Sequence, residues 1–184
     1  SMTQSSVLNV REGLVSPQRV QSILSMMTTT STSYLLLASL DVARKQLATK
    51  GKELIDKTIE LANYTREKIN NINNIYCIGK EILGSKATFD YDPTKLIIPV
   101  FELGITGYDV EKWLRENYQI EVELSDLYNI LCIVTPGDTK QEVDMLIKAL
   151  QELSDSFQLK NNPQDDNKER ILLPDIPVLA LTPR

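Results

Sequence analysis

The chain has 184 residues, a formal net charge of −5 and no histidine. That length admits one good core, or a small domain with part of another. The acidity argues against a nucleic-acid surface, which needs basic clusters, and without imidazole the chain holds no Ser-His-Asp or Cys-His pair and lacks the commonest zinc ligand.

No apolar run approaches the length of a bilayer span, and no signal-peptide pattern opens the chain. Cys77 and Cys132 each fall in a stretch that reads as strand, at a spacing that matches no metal-ligand pattern. They are expected to be buried free thiols of a cytoplasmic protein.

Residues 5–10, with Val7, Leu8 and Val10, read as a short strand. Ser16 before Pro17 starts a helix, with the proline where its missing N–H costs nothing. Val20, Ile23, Leu24 and Met27 follow at helical spacing and are expected to face a core. A second stripe runs through Leu36, Leu40, Ala43 and Leu47, then Leu54, Thr58, Leu61, Thr65 and Ile69. It predicts a long, nearly continuous helix from about 33 to 70, with Gly51 as a kink or a stop.

Beyond a polar break at 70–74, residues 75–79 read as a strand, and 95–100 as a strongly β-rich one whose Pro99 favours an edge or a bulge. Thr106 and Asp109 form a partial capping box ahead of Val110, Trp113, Leu114 and Tyr118. Residues 120–124 alternate as a half-buried strand should, and 130–134 are wholly apolar. Asp138 and Gln141 bracket the next helix start, and Val143, Leu146, Ile147, Leu150 and Leu153 give its apolar face. The order predicts a small α+β layer of helices on a mainly antiparallel sheet. From 158 onward the chain reads as a polar linker and an extended, Pro-rich tail.

The hydroxyl run at 26–34 (Met26, Met27, Thr28, Thr29, Thr30, Ser31, Thr32, Ser33, Tyr34) lies between two helical patterns. Hydroxyls and free N–H groups at a helix start suit an anion such as a phosphate. The plain alternative is an N-cap that touches no ligand.

Taken together, these stretches resemble the ornithine/lysine/arginine decarboxylases, pyridoxal-phosphate enzymes of the aspartate-aminotransferase fold. The match rests on Thr28, Thr29, Thr30 and Ser31 with Tyr34, Ala38, Ser39, Leu40 and Asp41. It continues through 92–96, 104–108, 121–126 and 136–139, and ends on Leu181, Thr182, Pro183 and Arg184. The resemblance implies an α/β, aminotransferase-like fold. Residues 1–70 would be the end of the large cofactor domain with a connecting long helix. Residues 71–157 would be a small α+β domain, and 158–184 a linker and tail leading to a further C-terminal segment.

It also implies a cytoplasmic lyase of polyamine metabolism that decarboxylates lysine, ornithine or arginine with pyridoxal 5'-phosphate, as a homodimer or higher oligomer without nucleic acid, membrane or metal. The family's Ser-x-His-Lys motif would lie before Ser1, so the lysine anchor, the carboxylate under the pyridine nitrogen and all catalytic residues are expected outside this segment. Both ends of the chain read as cut. Thr29 aligns with the threonine that reaches across the dimer to the phosphate of the neighbouring subunit's cofactor, with Thr28, Thr30 and Ser31 as alternatives should the register slip. Position 32 is Thr where the family usually has Pro. Glu123 aligns with an acidic residue that faces the distal cation of the substrate in some members. Against this, Glu121 and Glu123 also read as the solvent face of an alternating strand, and Asp126 is a weaker candidate of the same kind.

Two rivals stay open. One is another pyridoxal enzyme of this fold, such as an aminotransferase, which usually carries a small-domain arginine for the substrate carboxylate. Here the small domain offers only Arg115, on the outer face of a helix. The other is a non-catalytic α/β binding module.

Overall fold

The computed structural model describes residues 5–158, apart from 12, 14, 29, 30 and 85–87. Thr29 and Thr30 of the hydroxyl run, and the tail from 159, therefore lie outside the described residues. The elements are α1 (Pro17–Met27), α2 (Tyr34–Ile69), β1 (Lys95–Pro99), α3 (Gly107–Tyr118), β2 (Leu124–Ser125), β3 (Asn129–Ile133) and α4 (Lys140–Gln158). Short 3-10 turns occupy Lys80–Ile82 and Phe101–Leu103.

The Ser16 hydroxyl accepts the Arg19 N–H, and Pro17 opens α1 as expected. The expected core face of α1 is not realised. Ile23, Leu24 and Met27 are exposed and Val20 is half-buried. The helix forms locally from its cap and periodicity, but no layer among the described residues covers its apolar side.

α2 is one continuous helix of 36 residues, about 54 Å long, and it runs through Gly51 without a stop. Its two halves differ. Leu36, Leu40 and Ala43 are half-buried and Leu47 is exposed, whereas Thr58, Ala62, Thr65, Arg66 and Ile69 are buried. The buried hydroxyls of Thr58 and Thr65 donate to the carbonyls of Leu54 and Leu61, each at 2.7 Å, so neither is left unpaired.

The sheet is antiparallel, in the order β1-β3-β2. Leu96 faces Cys132 and Ile98 faces Ile130 across β1 and β3. These four side chains are buried beneath the last turns of α2, α3 and α4, among Ile69, Leu103, Val110, Leu114, Leu146, Leu150 and Leu153. Pro99 sits on the edge strand β1, where its missing N–H breaks no ladder. Burial of the inner face is the main stabilising term, at about 25 cal/mol per Å² of apolar surface.

Three expected strands change. Residues 5–10 form no strand among the described residues, and Val7, Leu8 and Val10 are exposed. Residues 75–79 are extended but joined to β1 through the Ile78 N–H to Ile97 carbonyl bond alone, at 2.9 Å. The strand expected at 120–124 shrinks to Leu124–Ser125. Gln119 takes a left-handed conformation (φ 56°), and the Ile120 N–H bonds back to Leu114 to close α3. Residues 119 and 120 are thus spent on ending the helix.

The α3 capping box is present, with Thr106 and Asp109 each bonding the other's backbone N–H. At α4 the expected pair moves by one residue. Thr139 and Glu142 bond there, the Thr139 N–H at 2.9 Å from the carboxylate, while Asp138 accepts the N–H and hydroxyl of Thr135 in the preceding turn.

Candidate functional site

The first region is the junction between α1 and α2. Thr29 cannot be described, but Thr28, Ser31, Thr32 and Ser33 are exposed beside it. Ser33 is the N-cap of α2, yet its side chain makes no cap bond, and the first turn of α2 carries no acidic residue. The capping role open to Ser33 is therefore not taken up. A long helix opens there with unshielded positive dipole next to uncharged donors. This donor set fits a phosphate: hydroxyls and backbone N–H groups, with no carboxylate in the opening turn to repel it.

The second region is the segment before β2. Glu123 is exposed, and its N–H donates to the Leu131 carbonyl at 2.8 Å. Among the described residues its carboxylate has no hydrogen-bond or ion-pair partner. Glu121, two residues earlier, is held by Arg115, whose Nε donates to both its oxygens at 2.8 and 2.9 Å. A second arm of Arg115 reaches Glu111 at 2.6 Å, and the Ser125 hydroxyl donates to the other Glu111 oxygen. Arg115 holds the Glu121 carboxyl below its ordinary range. The Ser125 hydroxyl, then Arg115, does the same for Glu111. Arg115 lies on the outer face of α3 as expected, and both carboxylates occupy it.

Asp126 is committed to the β2–β3 turn. It accepts the N–H groups of Tyr128 and Asn129, each at 2.7 Å, and the Asn129 side-chain amide. Glu123 lines neither of two nearby hollows, each of about 270 Å³. One lies between Ile120, Cys132, Val134 and Leu146, and the other on the open sheet face over Ile97, Leu124 and Leu131.

The structure also shows a residue that the sequence reading passed over. Arg66 is buried at 8% exposure. Its guanidinium donates to the carbonyls of Ile78 (3.0 Å), Pro93 (2.9 Å) and Lys95 (3.2 Å) and to the Asn63 side chain (3.2 Å). The available signal was its place beside Thr65 and Ile69 on the buried side of α2. Cys77 and Cys132 are free and buried, as expected, and burial pushes their thiols up to about 11 and about 12.

Among the described residues no group of three or more His, Cys, Asp or Glu could hold a metal ion, and no helix is long and apolar enough to cross a membrane.

Comparison with known proteins places the chain in a family. The family model described as "Orn/Lys/Arg decarboxylase, major domain" matches residues 1–142. Arginine decarboxylases of Bacillus subtilis and Halalkalibacterium halodurans are 64% and 65% identical over all 184 residues, and the chain spans 37% of the length of each. Among solved structures, the constitutive lysine decarboxylase of E. coli aligns with a TM-score of 0.57 at 25% identity, over 80% of this chain and 26% of that one. The Francisella novicida lysine decarboxylase aligns with the same score at 22% identity, over 80% of this chain and 25% of that one, a likeness of fold. The α/β, aminotransferase-like fold class expected from the resemblance stands. The chain belongs to the Orn/Lys/Arg decarboxylase family.

Proposed function

We propose that this chain is part of a cytoplasmic, pyridoxal-phosphate-dependent decarboxylase of a basic amino acid, with arginine as the substrate. The observation that carries this reading is identity above 60% with proteins named arginine decarboxylase, in alignments that span all 184 residues of the chain.

When bound, pyridoxal phosphate supplies the electron sink for the pair left as the α-carboxylate departs. The anchoring lysine is assigned to sequence outside this segment. Thr29 donates its hydroxyl to the phosphate of the neighbouring subunit's cofactor, assisted by the positive end of α2, which makes a dimer the smallest working unit. Glu123 accepts the guanidinium of the substrate. A carboxylate takes two parallel N–H bonds from a guanidinium and one point contact from an ammonium, which favours arginine over lysine or ornithine.

In this arrangement the exposed first half of α2 belongs with the large cofactor domain. Its buried last turns join the α+β layer that runs to the end of α4. The exposed apolar faces of α1 and early α2 support this assignment, because they require a covering surface.

The test is carbon dioxide release by the purified full-length protein supplied with pyridoxal phosphate and, separately, arginine, lysine and ornithine. Arginine should turn over at least about tenfold more efficiently than the others. No release from any of the three, or a preference for lysine or ornithine, overturns the reading.

A further inference from the structure

Glu111 and Arg115 stand one turn apart on α3 and grip the segment that carries Glu123 from both sides. The Arg115 Nε–H is shared between both Glu121 oxygens, and Glu111 receives the Ser125 hydroxyl. Each anchor lies two residues from Glu123. The two are joined on α3 by the Arg115 to Glu111 bond of 2.6 Å. The backbone alone holds this segment weakly. β2 is a two-residue edge strand, and Glu123 itself adds one N–H bond to Leu131.

A lone exposed ion pair contributes little, because solvent screens it and two long side chains must be held in one geometry. Here the Arg115 Nε–H shared between both Glu121 oxygens, a second ion pair from its other arm to Glu111 and a hydroxyl form one connected chain of four side chains, the circumstance in which surface charges order a segment. The network also sorts charge. Of the three carboxylates at 111, 121 and 123, two are engaged, and Glu123 alone has no partner among the described residues.

We propose that Glu111 and Arg115 are a positioning pair: they fix the backbone on either side of Glu123 and neutralise its acidic neighbours, so that this one carboxylate meets the substrate cation. This inference rests on the reading of Glu123 given above. Neither Glu111 nor Arg115 touches the substrate.

The experiment is a double-mutant cycle in the full-length enzyme, reading KM and kcat for arginine with thermal melting as a folding control. Glu123→Gln should raise KM about tenfold or more. Arg115→Gln should raise KM about fivefold with kcat within about twofold. Arg115→Lys should recover part of the loss, since an ammonium can replace the contact to one of the two carboxylates. The decisive arm is the double variant: on a Glu123→Gln background, Arg115→Gln should add little further loss, because it acts through Glu123. An additive loss, or an unchanged KM for Arg115→Gln alone, overturns the positioning role while leaving Glu123 its part. An unchanged KM for Glu123→Gln removes the Glu123 reading, and this proposal with it.

Discussion

Gly107 and Asn129 pack so closely that a Cβ on residue 107 would lie 2.1 Å from the Asn129 carbonyl oxygen and 2.4 Å from that of Asp126. Both obstacles are backbone, fixed in the β2–β3 turn, so neither can swing aside as a side-chain tip would. This contact seats the first turn of α3 on the sheet, and with it Glu111 and Arg115. In an open helix Gly→Ala is stabilising by about 1 kcal/mol. Here Gly107→Ala should instead destabilise by about 3 kcal/mol or more through overpacking. The urea midpoint of the purified protein reads this directly, and an unchanged or higher midpoint would show that the turn yields.

Arg66 carries a second structural prediction. Its guanidinium ties the buried end of α2 to the carbonyls of residues 78, 93 and 95, with the Tyr91 ring 5.7 Å from its centre. Arg66→Ala removes the donor that these carbonyls share and empties a buried place, and should cost about 3 kcal/mol or more. Arg66→Lys should recover little, because an ammonium cannot fan its donors across acceptors on separate segments. Chemical denaturation of the two variants tests both statements, and a lysine variant as stable as the parent would sink the second.

What the sequence disclosed follows from how local each signal is. The 3.6-residue stripes of α2, α3 and α4 are long, and the Thr106–Asp109 box is closed within four residues, so both are readable without knowing the fold. Pro99 announced an edge because a missing N–H is a property of one residue. The β elements depended on partners far along the chain. Residues 120–124 alternate perfectly well, but the requirement to close α3 at Gln119 takes their first positions. Residues 5–10 have strand composition, but no strand pairing of theirs forms among the described residues. The α1 stripe forms the expected helix, and no layer among the described residues covers its apolar side, since periodicity gives a helix that side without giving it a cover. Glu123 is a candidate only through the family resemblance. Its isolation from its engaged neighbours is a tertiary fact, set by Arg115 reaching across from α3, and no spacing rule states it.

The two buried thiols make alkaline stability a measurable consequence. Their ordinary value is 9.0, and burial raises Cys77 to about 11 and Cys132 to about 12. Below pH 9 both states keep the protons and stability does not depend on them. Above it the unfolded chain loses protons that the folded chain retains, so stability falls as pH rises, until the folded thiols ionise in turn. The slope approaches about 1.4 kcal/mol per pH unit for each thiol. Tyr76, raised to about 12 chiefly by its bond to Glu81, adds to the fall above its ordinary 10.0. Urea midpoints between pH 8 and pH 10.5 should therefore decline, and Cys132→Ala should flatten the decline while lowering stability at neutral pH. An equally steep fall in that variant would remove Cys132 from the account.

The acid side turns on Asp126, whose carboxyl is held below its ordinary 3.8 by the Tyr128 N–H first, with the side-chain amide and backbone N–H of Asn129 adding to it. A depressed folded value means that its stabilisation is present above the unfolded value and is lost as pH falls through the folded one. Asp92, Asp109, Glu142 and Asp144 are depressed as well, so the acid limb of the parent alone cannot be assigned to one group. The variant Asp126→Asn separates them, because the other carboxylates remain in both chains. At pH 7 it should be less stable than the parent, since a neutral amide oxygen is a weaker acceptor for three N–H groups than a carboxylate. As pH falls through the depressed folded value, the parent's Asp126 takes up a proton and comes to resemble the amide. The gap between parent and variant should therefore close toward pH 2. A gap that stays constant from pH 7 to pH 2 would mean that the turn depends on the shape of residue 126 and not on its charge. Asp126 would then fix the turn against Gly107 by packing alone.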